Sequence, residues 1–165
     1  MRNKKGSIAL SVIIFFMTVL PALLFVTTAG ISYAESLKKA LSATEFAAES
    51  IKASVVSYDS STNIAVFDDS TQISKQVLDI VKGNLGIKVD SDLSNTFVSE
   101  MPVVTVVIYN EIQIGGMDVT YEGKAFHFDK PGVLIAVSYK YKALFTKSIA
   151  PPEILVVRKY EIMEA

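Results

Sequence analysis

Apolar side chains run almost unbroken from residue 8 to residue 26, as IALSVIIFFMTVLPALLFV, and no charged side chain occurs anywhere in residues 7–34. These 28 residues would extend for ~42 Å as a helix at ~1.5 Å per residue. A bilayer span needs about 20 predominantly apolar residues, so the pattern predicts one transmembrane helix. Pro21 sits inside it and removes one backbone donor, a loss that membrane helices tolerate.

Beyond this run the period changes. Leu37, Leu41, Ala48, Ile51 and Val55 recur at helical spacings, with Ala40, Ala43 and Ala47 beside them, which predicts an amphipathic helix over 35–58. No glycine or proline falls between Ile31 and Tyr58, so the two helices are expected to join into one rod. Residues 59–70 are polar and turn-rich and read as a loop. Ile73, Val77, Ile80, Val81 and Leu85 form a second helical stripe over 71–85, with Ser70 as the expected N-cap and Gly83 or Gly86 as the stop. Residues 90–100 read as another loop.

From Met101 the pattern becomes that of strands. Residues 103–109 (VVTVVIY) are β-branched and aromatic. Shorter pieces at 111–114, 117–121 and 125–128 follow, then Asp129-Lys130-Pro131-Gly132 as a turn, and strands at 133–144 and 154–162. The expected fold class is α+β, a long N-terminal helix packed on a C-terminal antiparallel sheet.

Charge orients this plan. Arg2, Lys4 and Lys5 precede the apolar run; the remaining 13 basic residues follow it, against 17 acidic ones. The positive-inside rule then holds the N-terminus in the cytoplasm and places the rest outside. The expected divisions are a basic leader at 1–6, a transmembrane helix at 7–34 and an extracytoplasmic domain at 35–165. A competing reading is a secretory signal cut after Ala34, where Ser32-Tyr33-Ala34 has the small-x-small form. The apolar run exceeds the usual ~7–15-residue signal core, which favours a retained anchor.

Candidate chemistry is sparse. The chain has no cysteine and one histidine, which excludes thiol chemistry and any site needing two imidazoles. His127 is expected to point away from Phe126 and Phe128 and to lie at the surface. Asp90, Asp92 and Asn95 have oxygen donors suited to calcium, but the sixth and twelfth positions of an EF-hand loop, Asn95 and Met101, lack the glycine and glutamate it requires. Asp59-Ser60-Ser61-Thr62-Asn63 fails in the same way, with Ile64 in the glycine place. Asp68-Asp69 reads as a solvated pair. Gly115-Gly116 reads as a turn, lacking the lysine and helix of a phosphate loop. Lys140, Lys142 and Lys147, interleaved with Tyr139 and Tyr141, read as the outer face of a strand rather than a nucleic-acid surface. No enzyme activity, cofactor, metal or nucleic acid is expected.

The order of parts then becomes informative. KKGSIAL at residues 4–10, LKKALSATEFAA at 37–48, and VSYKYKAL with LVVRKYE near the end together resemble the TadE/TadG-like pseudopilins of bacterial tight-adherence (Flp) type IV pilus systems. The resemblance implies a pilin-like fold and a prepilin-peptidase site between Gly6 and Ser7. It also implies other membrane or pilus-assembly proteins as partners, alongside the lipid bilayer. Ser11 stands where pilins carry a glutamate, which suits an accessory protein that stays in the membrane. The small residues Ala22, Ala29, Gly30 and Ala34 would permit close helix packing there.

Overall fold

The computed structural model describes residues 4–88, 90, 92–94, 96, 98–142 and 153–162. The fold is α+β, with a long N-terminal helix packed with antiparallel sheets. Helix α1 (Lys4–Lys52) is continuous through Pro21. Among the described residues none before Ser32 is buried, whereas from Ser32 onward one side of the helix is. Ser32, Ser36, Ala40, Ala43, Thr44, Ala47, Ala48 and Ile51 repeat every three or four residues, the spacing that makes one helical stripe. All but the last are small, so the neighbouring elements can approach the α1 backbone closely.

Helix α2 (Ser70–Asn84) packs against this stripe through Ile73, Val77 and Val81. Asp69, rather than Ser70, is its N-cap; the Asp69 carboxylate accepts from the Thr71 amide at 2.8 Å. Gly86 ends it at φ 77°. The Ile87 amide reaches the Lys82 carbonyl at 2.9 Å and the Gly86 amide the Gly83 carbonyl at 3.1 Å, the paired bonds of a Schellman stop.

The helices lie on a three-stranded antiparallel sheet of order β3-β6-β7, built from β3 (Val103–Tyr109), β6 (Gly132–Lys140) and β7 (Glu153–Glu161). Alternation divides these strands between two cores. Val133, Ile135, Val137, Tyr139, Ile154 and Val156 meet α1 and α2. Leu134, Ala136 and Val157 face the other way and pack with Ile112 and Phe128. There the hairpin of β4 (Met117–Tyr121) and β5 (Lys124–Phe128) covers part of the sheet. At Gly132 the backbone of β7 comes so near that an added Cβ would lie 2.1 Å from the Tyr160 carbonyl oxygen.

Three expectations need correction. The amphipathic helix stops at Lys52, and residues 55–58, expected to be its end, belong instead to β1 (Val55–Asp59). The predicted loop at 59–70 holds β2 (Ile64–Phe67), which pairs antiparallel with β1. The antiparallel strands form three separate sheets, because neither β1-β2 nor β4-β5 is paired with another described strand of the fold beyond its own hairpin; only an isolated bridge joins Ile64 to Glu111. The β1-β2 hairpin is nonetheless tied to the body of the domain. The Asn63 side chain donates to the Ile112 and Asp129 carbonyls, both at 3.0 Å, and the Ala65 amide donates to the Asn110 carbonyl at 2.8 Å.

The direction of each element follows from these contacts. Tyr139, near the end of β6, meets Ser36, whereas Val133, near its start, lines a small cavity with Ala48 and Ile51. Fifteen residues of helix from 36 to 51 and six of strand from 133 to 139 both span roughly 20 Å. The end of β6 and the start of β3 therefore lie where α1 enters the domain, and the β5-β6 turn lies at its far end.

Candidate functional site: the bare helix and its entry into the domain

Along residues 8–31 of α1 the described apolar side chains other than Ala29 are exposed, with Met17 at 75% and Ile31 at 68%. This stretch is apolar all round, the distribution expected of a helix surrounded by lipid or by other helices. Its polar groups are satisfied within the helix. The Thr18 hydroxyl donates to the Ile14 carbonyl at 2.7 Å, and Thr28 to Leu24 at 2.7 Å. The Thr27 hydroxyl bonds the Leu23 and Leu24 carbonyls at 3.0 Å. Hydroxyls bonded back in this way add no unmet donor in an apolar medium. The helix is long and apolar enough to cross a membrane.

Among the residues proposed for helix packing, Ala22, Gly30 and Ala34 are exposed and Ala29 is half-buried. A Cβ added at Gly30 would meet nothing within 4 Å. At ~100° per residue the four cover an arc of roughly 140°, a broad face rather than a narrow seam. Gly6 and Ser7 fall in the first turn of α1; their side chains lie outside the described residues. Ser11 is on the exposed part of the helix.

Packing begins along one face of the helix, where Ala29 is half-buried and Ser32, one turn on, is 8% exposed, while Ile31 on the other side is 68% exposed. Just beyond, Tyr33 stacks edge-on against Tyr141, with ring centroids 5.8 Å apart and planes at 90°. The Tyr139 hydroxyl donates to the Ser36 carbonyl at 2.9 Å, and lies 2.8 Å from Ser36 Oγ. With its own proton committed to the carbonyl, the Tyr139 oxygen accepts from the Ser36 hydroxyl. Burial pushes the Tyr139 pKa up, against the lowering effect of the Ser36 bond.

Around this entry point several of the described charged groups are engaged. Lys140 Nζ is 2.8 Å from Glu100, and Lys82 Nζ is 3.0 Å from Asp90. Lys142 Nζ donates to the Ser94 carbonyl at 3.3 Å. Asp92 accepts from the Ser94 hydroxyl and amide, which hold its carboxyl below the usual range, with Lys142 adding to the effect. The oxygens considered for calcium are thus turned to other uses, and Asn95 lies outside the described residues. Asp59 likewise accepts from Ser61. Tyr139 and Tyr141 are buried while Lys140 and Lys142 point outward, so these residues do not form a mixed basic-aromatic face; Lys147 lies outside the described residues.

His127 is exposed, as its alternation with the flanking phenylalanines implies. The structure adds two carboxylates that sequence reasoning had not placed beside it. Nδ1 is 2.7 Å from Asp118 and Nε2 is 3.3 Å from Asp129. The Asp118 bond, helped by both negative charges, raises the His127 pKa. The two carboxylates meet different ring nitrogens, so the trio does not converge on a point where a metal ion could sit. Among the described residues, no group of three or more His, Asp or Glu is arranged to hold a metal.

Comparison with known proteins brings no neighbour: no protein-family model, curated protein or solved structure matches the chain.

Proposed function

We propose that this chain is a membrane-anchored, pseudopilin-like protein of the TadE/TadG-like kind, serving a bacterial pilus or related envelope secretion machine. It acts through protein-protein contacts rather than catalysis. The observation that carries this reading is the division of one continuous helix: its apolar half is bare, and its second half is built into an α+β domain. The bare half holds the chain in the cytoplasmic membrane and packs laterally against other helices, using the face that contains Ala22, Ala29, Gly30 and Ala34. The N-terminus lies in the cytoplasm and the domain outside it. Prepilin peptidase cuts between Gly6 and Ser7.

The rival is a secreted binding domain released after Ala34. The uncharged apolar run of residues 7–34 exceeds the ~7–15-residue core of a secretory signal, and this supports the anchor. The deciding measurement is the intact mass of the N-terminus of protein recovered from its native host. The expected start is Ser7. A start at Glu35 would sink the anchored reading in favour of the secreted one. An uncut Met1 would preserve the anchor and remove the peptidase step.

A further inference from the structure

Where the domain sits relative to the membrane follows from the absence of any spacer. The uncharged length of α1, residues 7–34, extends ~42 Å as helix. A bilayer with its headgroup layers is about 40–45 Å thick. Residue 33 therefore lies in the outer headgroup layer when this segment spans. Tyr33 is also where the domain begins, because its ring packs on Tyr141. The strands confirm which end this is, since Val98 bridges to Tyr141 and the Ser99 amide donates to the Lys140 carbonyl at 2.9 Å.

We infer that the end of the domain marked by Tyr33, Lys142 and residues 92–94 and 98–100 rests directly on the outer headgroup layer of the bilayer. This rests on the reading of α1 as a membrane anchor. Tyr33, 40% exposed, suits the position, because an amphipathic ring with a polar tip is favoured at membrane-water interfaces. Three of the described lysines at this end are engaged within the domain, which favours the headgroup layer in general over an anionic lipid. Lys140 and Lys82 are neutralised by Glu100 and Asp90, and Lys142 stands beside Asp92. An anionic-lipid site would instead gather unpaired basic side chains. A seat of this kind leaves the far end of the domain, with the exposed Ile114, facing away from the membrane.

The absence of native cysteine makes the test clean. Single-cysteine variants of the full chain, Lys142→Cys, Ile114→Cys and Met17→Cys, are labelled with an environment-sensitive fluorophore. Each is reconstituted in phosphatidylcholine vesicles that carry a quencher either at the headgroup or deep in the acyl chain. Circular dichroism confirms that each variant folds. The label at 142 is expected to be quenched several-fold more by the headgroup quencher than the label at 114, with no change on adding phosphatidylglycerol. Equal weak quenching at 142 and 114 would overturn the seat. Quenching at 142 that appears only with phosphatidylglycerol would overturn the neutral headgroup contact in favour of an electrostatic one. The Met17 label separates the two readings: loss of its deep quenching refutes the anchor itself, whereas retained deep quenching with no signal at 142 refutes only the seat.

Discussion

At the scale of single residues, two side chains report on the structure most directly. His127 is the only imidazole in the chain, so its proton resonance is unambiguous. Asp118 first, then Asp129, raise its folded pKa above the ordinary value of ~6.5. Protonated His127 therefore favours the folded hairpin; this contribution is complete below the unfolded pKa and is lost as pH rises through the folded one. The NMR titration midpoint should exceed ~6.5 and fall in Asp118→Asn; an unshifted midpoint would contradict the contact. Tyr139 is the second reporter. Tyr139→Phe deletes both bonds to Ser36 and leaves the buried Ser36 hydroxyl without its acceptor. The expected loss is about 1–2 kcal/mol, read by denaturant unfolding in detergent. The His127 trio could have been found from sequence by counting outward from the two-residue turn. Glu122 and Gly123 both have positive φ, Tyr121 faces Lys124, and Asp118 then falls opposite His127. The pattern of apolar residues alone does not contain that register.

Among the elements, the long helix, α2, and strands β3, β6 and β7 were legible because each has a sustained period. The β1-β2 hairpin was not. Val55 lies four residues after Ile51, which continues a helical stripe as well as it begins a strand. The helix in fact closes with the Ala53 and Ser54 amides bonded to Ser50 and Ile51. Asn63, at φ 54°, makes the turn that sends β2 back, a left-handed conformation asparagine tolerates. The stripe of small residues on α1 makes a prediction at this scale. Ala43 is fully buried in the core that α1, α2 and the sheet share. Ala43→Leu should force these elements apart and reduce stability by about 1–3 kcal/mol, visible as a lowered denaturation midpoint. A wild-type midpoint would mean that the interface is looser than the packing implies.

For the molecule as a whole, bare helix and packed domain divide at residue 31, and this makes them separable. No residue before Ser32 belongs to the buried set of the described chain. A protein beginning at Ile31 should therefore remain soluble without detergent and unfold cooperatively, and a molten or aggregated product would show that the anchor contributes to the fold. The broad plan of a long apolar helix leading into an α+β domain was legible in the sequence; the divided sheets were not, because they depend on which strands pair across long separations. The peptide between Ile31 and Ser32 lies within unbroken helix, so anchor and domain share one axis. Ile51 lies twenty residues further on, ~30 Å along that axis. If α1 spans a membrane as proposed, a thicker or thinner bilayer that tilts it by about 20° leans the domain with it, and the far end swings sideways by roughly 10 Å. Bilayer thickness, ordinarily a property of lipid, would then set where this protein presents its outer surface.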